Sequence, residues 1–130
     1  MNILITGGFG LIGRSLVSEL SNNNNIFLIS RNIKPENTAI NIVTIYHDLL
    51  SPIPVEKIPK DINVVIHLAA IAHKTSSEIM GINCLMTKNI TDAFLNKKVK
   101  FIFFSSVAVY GEANRLFPIK ISDFCKPYSS

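Results

Sequence analysis

Eight residues near the start of the chain, Thr6-Gly7-Gly8-Phe9-Gly10-Leu11-Ile12-Gly13, restrict its fold more than any others. They carry G-x-G-x-x-G through Gly8, Gly10 and Gly13, and also G-x-x-G-x-x-G through Gly7, Gly10 and Gly13. Residues 2–5 before them are an apolar run of strand length. After them, Leu11–Leu20 places Ile12, Leu16 and Leu20 on one helix face. In a strand–loop–helix unit of this kind one glycine permits the tight turn and one lets the backbone approach a pyrophosphate. A third lets the helix pack on the strand. The anion then sits on the free N–H groups of the helix N-terminus. Gly7, Phe9, Gly10, Leu11, Ile12 and Gly13 are therefore candidate contacts to a dinucleotide; a purely structural glycine turn is the competing reading. No Gly-Lys-Ser/Thr follows, so the loop is not a P-loop.

Downstream, β-rich runs alternate with helical or irregular stretches. The asparagine tract at 22–25 ends the first helix, and the tolerance of asparagine for left-handed angles predicts a tight turn there. Strands are expected at 26–29, Ile42–Tyr46, 63–68 and 99–104. Residues 32–41 read as a loop or short degenerate helix. Three prolines make 51–60 irregular apart from one turn. Ser76 or Ser77 can cap a second long helix, whose buried stripe is Ile79, Ile82, Met86, Ile90, Ala93 and Phe94. Gly81 inside it costs about 1 kcal/mol relative to alanine. Residues 105–130 read as loop. Continuous apolar strands alternating with helices imply a parallel sheet covered on both faces, with ligands at the carboxyl ends of its strands.

Composition narrows the class further. With 130 residues and 48% hydrophobic side chains, one compact domain over 1–130 is expected. The longest apolar stretch, Val64 to Ala72, is interrupted by His67 and falls far short of the roughly 18 residues of a membrane span. The net charge of +4 is scattered, and its densest group, Lys97, Lys98 and Lys100, reads as a solvated helix end rather than a nucleic-acid stripe. Cys84 and Cys125 lack metal-ligand spacing. With no secretory signal ahead of the glycine loop, they read as reduced thiols of a cytoplasmic protein. No metal, nucleic acid or membrane is expected.

The strand ends supply further candidates. The second strand runs into Ser30-Arg31-Asn32, where NAD-selective sites carry an acidic residue and an arginine accommodates a 2′-phosphate. Arg31 thus tilts the cofactor towards NADP, against the reading of an ordinary exposed arginine. After the third strand, Asp48 could accept a hydrogen bond from an adenine amino group, with Leu49 packing on the ring; helix capping by Asp48 is the alternative.

With His67-Leu68-Ala69-Ala70 after the fourth strand and Ser105-Ser106-Val107-Ala108-Val109-Tyr110-Gly111 after the fifth, the chain resembles the N-terminal part of the extended short-chain dehydrogenase/reductase family. It is most similar to the nucleotide-sugar epimerase and dehydratase branch, including polysaccharide-type UDP-sugar 4-epimerases. Asn83 and Thr87 match a V-N-x-x-G-T pattern in which Met86 replaces the glycine. The resemblance implies a Rossmann-type doubly wound parallel sheet of about five strands in the order 3-2-1-4-5, truncated on its C-terminal side. It implies Leu68, Ala69, Ala70 and Asn83 as cofactor contacts, NAD as the usual cofactor and a nucleotide sugar as substrate. His67 reads as structural, and His73 as exposed or near the cofactor.

The resemblance also implies Ser106 and Tyr128 as catalytic, with Tyr110 a structural tyrosine. Tyr128 follows Pro127 and begins a Y-x-x-x-K pattern whose lysine would fall at position 132, past Ser130. Without that lysine and the family's substrate-binding portion, the chain is expected to be inactive alone, marginally stable or dependent on a partner, and open to self-association through the exposed fifth strand or the surface left by the missing portion. The leading reading is part of an NAD(P)-dependent epimerase or dehydratase acting on a UDP-sugar such as a UDP-N-acetylhexosamine. A non-catalytic NAD(P)-binding module and an NADPH-dependent carbonyl reductase of the same superfamily are the alternatives.

Overall fold

The computed structural model describes residues 1–32, 39–71, 76–111 and 118–127. Five parallel strands are laid down in chain order as β1 (Asn2–Thr6), β2 (Asn25–Ser30), β3 (Ile42–Tyr46), β4 (Val64–His67) and β5 (Lys100–Phe103). Helix α1 (Leu11–Leu20) joins β1 to β2, and helix α2 (Ser76–Asp92) joins β4 to β5. The sheet order is β3-β2-β1-β4-β5. It is the doubly wound arrangement expected, because the chain winds outward from β1 to β3 and then returns to lay β4 against β1's other side. That reversal opens a crevice between the carboxyl ends of β1 and β4.

Alternation along β1 builds two cores. Ile3 and Ile5 face one way and pack with Ile26, Leu28, Ile66 and Val17 of α1. Leu4 faces the other way and joins Ile29, Val65 and the α2 stripe of Met86, Ile90 and Phe94. β1 and β4 are the most enclosed strands, and the outer strands carry exposed apolar residues: Val43 and Tyr46 on β3, Phe103 on β5. α2 ends at Asp92, so Ala93 and Phe94 complete the stripe from a turn rather than the helix.

The expected elements are all present, with altered ends. β1 runs on to Thr6 and β2 from Asn25 to Ser30, while β4 stops at His67, leaving Leu68 outside. β5 excludes Val99 and Phe104. The irregular 51–60 stretch contains one 3-10 turn, Val55–Lys57, and a second such turn, Val107–Tyr110, breaks the expected loop after β5. The turn at the asparagine tract is formed differently from expectation: among the described residues no non-glycine residue has a positive φ. Amide side chains close it instead. Asn24 Nδ2 donates to the Leu20 carbonyl at 2.8 Å, and Asn41 Nδ2 donates to the carbonyls of Ser21 (2.6 Å) and Asn24 (2.8 Å). The bonds to Leu20 and Ser21 satisfy helix-end carbonyls that a left-handed residue would otherwise serve. The 33–38 stretch, the start of the second helix's cap at Ser76 and Ser77, and His73 lie outside the described residues or side chains.

Candidate functional site

The glycine loop is shaped by what each glycine would touch. Gly7 has φ +71°, and a Cβ there would stand 2.8 Å from the Ala69 nitrogen and 2.9 Å from the Leu68 carbonyl carbon. The backbone following β4 therefore lies directly against the loop following β1. A Cβ on Gly13 would overlap the Gly7 carbonyl oxygen and sit 2.7 Å from Gly8 Cα, so Gly13 lets α1 pack onto the loop. At Gly8 the nearest obstacle is the tip of a side chain, Leu28 Cδ2. The structure thus assigns the backbone-critical roles to the Gly7/Gly13 spacing. Gly10 differs again. It is exposed, and a Cβ would meet only the Gly7 oxygen at 3.2 Å.

Gly10 is the N-cap of α1, with no side-chain capping bond and no acidic residue in the first turn. The first backbone bond of the helix runs from Arg14 N–H to the Gly10 carbonyl at 2.9 Å. The preceding N–H groups have no partner within the helix, and the helix dipole adds positive charge at that end. The Leu11 and Ile12 side chains are exposed and Gly13 is buried; all three lie outside the lining of the cleft, so their contribution to a ligand is backbone only.

An open cleft of about 270 Å³ runs along the carboxyl ends of β1, β2, β3 and β4. It brings together nine of the candidate contacts: Gly7, Phe9, Gly10, Arg31, Asp48, Leu49, Leu68, Ala69 and Ala70. Gly8, read as a fingerprint glycine, and Met86, read as a core residue, also line it, as do Ile29, Ser30, Asn32, His47 and Ile71, which sequence reading did not propose as contacts. For Ile29, Ser30, Asn32 and His47 the position at a strand end was the available signal. Ser30 folds the end of β2 into a tight turn, its Oγ donating to the Asn32 carbonyl at 2.9 Å and accepting from Asn32 N–H at 3.1 Å. Asp48 caps no helix; its Oδ1 accepts from Leu50 N–H at 3.0 Å in a local turn. Leu49 is 6% exposed and belongs mainly to the core, so it offers a ring little surface.

Asn83 stands apart from the other candidates. It does not line the cleft, and both ends of its amide are engaged: Oδ1 accepts from Ile71 N–H at 2.9 Å and Nδ2 donates to the Ile71 carbonyl at 3.1 Å. One turn and a half further on, Asn89 Nδ2 donates to the Leu49 carbonyl at 2.7 Å from a buried position. Two asparagines of α2 therefore grip the two loops that form the cleft's floor, after β4 and after β3.

His67 is 1% exposed at the end of β4 and is structural, as expected. Its Nδ1 lies 2.6 Å from Thr6 Oγ1 and its Nε2 3.1 Å from Thr87 Oγ1, with the Phe103 ring stacked at 5.9 Å. Burial pulls its pKa below the ordinary value of 6.5. Between 6.5 and that lower native value the unfolded chain holds a proton that the native chain does not. Stability is therefore complete above pH 6.5 and falls as pH drops through that window, by at most about 1.4 kcal/mol per unit. Denaturant melts at stepped pH are expected to show this slope and His67→Gln to flatten it.

Ser106 lies outside the cleft, two strands from β1 at the same end of the sheet. It caps the Val107–Tyr110 turn, its Oγ accepting from Ala108 N–H at 3.2 Å. Just beyond, Gly111 has φ +81°, and a Cβ there would overlap the Lys126 carbonyl oxygen. The chain after 118 thus returns to the Ser106 segment. Tyr128 itself lies outside the described residues. Among the described residues no group of three or more His, Cys, Asp or Glu side chains could hold a metal, Cys84 and Cys125 are exposed free thiols, and no helix is long and apolar enough to cross a membrane.

The chain is similar in sequence and in fold to known proteins. D-erythronate dehydrogenase of Haemophilus influenzae is 32% identical over 126 residues, which cover 85% of this chain and 39% of that protein. The UDP-glucuronic acid 4-epimerase of Bacillus cereus, solved in complex with NAD, superposes with a TM-score of 0.82 at 27% identity, over 99% of this chain and 47% of its own. The UDP-N-acetylglucosamine 4-epimerase of Methanobrevibacter ruminantium M1, solved with UDP-N-acetylmuramic acid, gives a TM-score of 0.80 at 31% identity, over 97% and 44%. The chain thus spans less than half the length of each. The NAD dependent epimerase/dehydratase family model matches residues 3–130, and the chain belongs to that family.

Proposed function

We propose that this chain forms the dinucleotide-binding part of an NAD(P)-dependent nucleotide-sugar epimerase or dehydratase. One observation carries the reading. The fold itself demands Gly7 and Gly13, whereas Gly10 leaves open space at the uncapped N-terminus of α1, where an incoming pyrophosphate can meet backbone N–H groups. In this reading residues 68–70, which line the cleft, run along the cofactor's ribose and pyrophosphate, and Arg31 and Asp48, which also line it, serve the adenosine half. Arg31 favours NADP on charge alone, but the B. cereus 4-epimerase was solved with NAD and lends that lean no support. The cofactor is accordingly NAD(P).

When bound, the dinucleotide supplies a hydride acceptor beside the sugar. Tyr128 takes the proton of the sugar hydroxyl, and Ser106 hydrogen-bonds the same oxygen to hold it in line. At pH 7 only about one tyrosine in a thousand is ionised, and bringing its pKa to about 7 requires roughly 4 kcal/mol of phenolate stabilisation. A UDP-N-acetylhexosamine is the favoured substrate, on the likeness to the M. ruminantium enzyme. Self-association through β5, the edge strand bearing exposed Phe103, and a cytoplasmic site of action belong to the same proposal.

Calorimetric titration with NAD and NADP tests the reading. Both are expected to bind, and Arg31→Ala is expected to weaken NADP about threefold to tenfold, as for a partly screened ion pair, with less effect on NAD. Binding of neither dinucleotide would overturn it. The likeness to D-erythronate dehydrogenase favours a second reading, a net dehydrogenase, in which turnover by the whole protein would accumulate reduced cofactor rather than recycle it.

A further inference from the structure

We propose that Thr6, His67 and Thr87 form a positioning relay that holds the 68–71 segment against the glycine loop, and that it works only with a neutral imidazole carrying its proton on Nε2. The consequence for the cofactor rests on the dinucleotide reading above. The direction of each bond follows from its partners. Ala69 N–H can only donate, so Thr6 Oγ1 accepts it at 3.2 Å, which leaves the Thr6 hydroxyl proton for His67 Nδ1. On the other side the Thr87 hydroxyl donates to the Asn83 carbonyl at 2.9 Å, so its oxygen accepts from His67 Nε2–H. A single tautomer satisfies all four bonds. The chain then continues through the Asn83 amide to both backbone groups of Ile71. One ring thereby joins β1, β4 and α2, and the two ends of the relay grip Ala69 and Ile71, which line the cleft.

Protonation would place a second N–H at Nδ1, facing a hydroxyl that already aims its own proton at the ring. Thr6 would have to turn that proton away, and its bond to Ala69 would weaken. The groups facing the ring are Thr6 from β1, Phe101 and Phe103 from β5, and Thr87 from α2; none of them is charged or titrates in this range. Burial, which lowers the His67 pKa, keeps the relay intact at neutral pH and lets it open only in acid.

The test is NMR of the full chain from about pH 7.5 to about pH 4.5, following the His67 ring nitrogens and the Ala69 and Ile71 amides, beside calorimetric titration with NAD. The Nε2–H tautomer is expected at the upper end. The two amide signals are expected to move with the His67 midpoint, and NAD affinity to fall about threefold to tenfold across it, the worth of roughly one hydrogen bond. Thr87→Val is expected to show the amide changes already at neutral pH, and Thr87→Ser to restore them. His47 lines the same cleft, so the amides' response to His67, rather than affinity alone, decides. An Nδ1–H tautomer, or Ala69 and Ile71 amides that stay fixed through the His67 titration, would overturn the relay, and the wild-type titration decides this even if the valine variant does not fold. Amides that respond while neither NAD nor NADP binds at any pH would leave the relay standing and overturn the dinucleotide reading.

Discussion

Gly13→Ala is expected to destabilise the chain by about 2–3 kcal/mol and to abolish dinucleotide binding, whereas Gly10→Ala leaves stability nearly unchanged and loses affinity alone. The new Cβ at 13 would overlap the Gly7 carbonyl oxygen and crowd Gly8 Cα at 2.7 Å and Gly8 C at 2.8 Å. All of these are backbone atoms. The loop cannot retreat, because Gly7 is itself wedged 2.8–2.9 Å, measured from its own would-be Cβ, from the Ala69 nitrogen and Leu68 carbonyl carbon. Helix α1 must then move out, uncovering Val17 from its core. The intrinsic helix preference of alanine over glycine returns about 1 kcal/mol, which is smaller than the steric cost. At Gly10 the only neighbour is the Gly7 oxygen at 3.2 Å, which a few tenths of an ångström would relieve. What the Gly10 methyl obstructs is the approach to the α1 N-terminus. Thermal melts and NAD titration of the two variants separate these effects. A Gly10→Ala variant as unstable as Gly13→Ala, or one that binds NAD as wild type does, would refute the division of roles.

The parallel sheet was legible because strands buried on both faces read as unbroken apolar runs, β1 and β4 the clearest of them, whereas the strand order came from the family resemblance. The cleft was legible because the chemistry of such a fold collects at strand ends, where Gly7, Arg31, Asp48 and Leu68 stand. The polar work of α2 was not. Asn83, Thr87 and Asn89 flank the apolar residues Ile82, Met86 and Ile90, and helical periodicity cannot distinguish a solvated amide from one turned inward onto a loop carbonyl. Asn83 shows the consequence: its match to a family pattern suggested a cofactor contact, yet both of its polar ends are bonded to Ile71. The tight turn at the asparagine tract was legible but its closure was not, since Asn41, distant in sequence, bonds the Ser21 and Asn24 carbonyls where local backbone preference pointed to a left-handed residue. Arg31 stays ambiguous in sequence and structure alike because an exposed side chain is fixed by its ligand rather than by its neighbours.

If α2 is the part that sets the cleft floor, a core substitution beneath it should reach the site more strongly than an equal one elsewhere. Ile90 is fully buried between α2 and the Leu4 face of the sheet, and Ile90→Ala is expected to cost about 2–5 kcal/mol. Ile26 is equally buried, in the core on the opposite face, at the amino end of β2 away from the cleft, so Ile26→Ala should cost a similar amount. Their effects on NAD should differ. Ile90 adjoins Asn89, which holds Leu49, and lies within a turn of Thr87, which holds His67. Loosening α2 there releases both clamps, and losing about 1.4 kcal/mol of their positioning lowers affinity about tenfold. Ile26→Ala disturbs neither clamp, so its affinity for NAD should stay within about twofold of wild type under conditions where the chain is folded. Should the alanine variants melt too low for titration, Ile90→Val and Ile26→Val pose the same comparison at about 1 kcal/mol each. Equal losses of NAD affinity in the two variants would mean that the cleft senses overall stability and that α2 has no special hold on it.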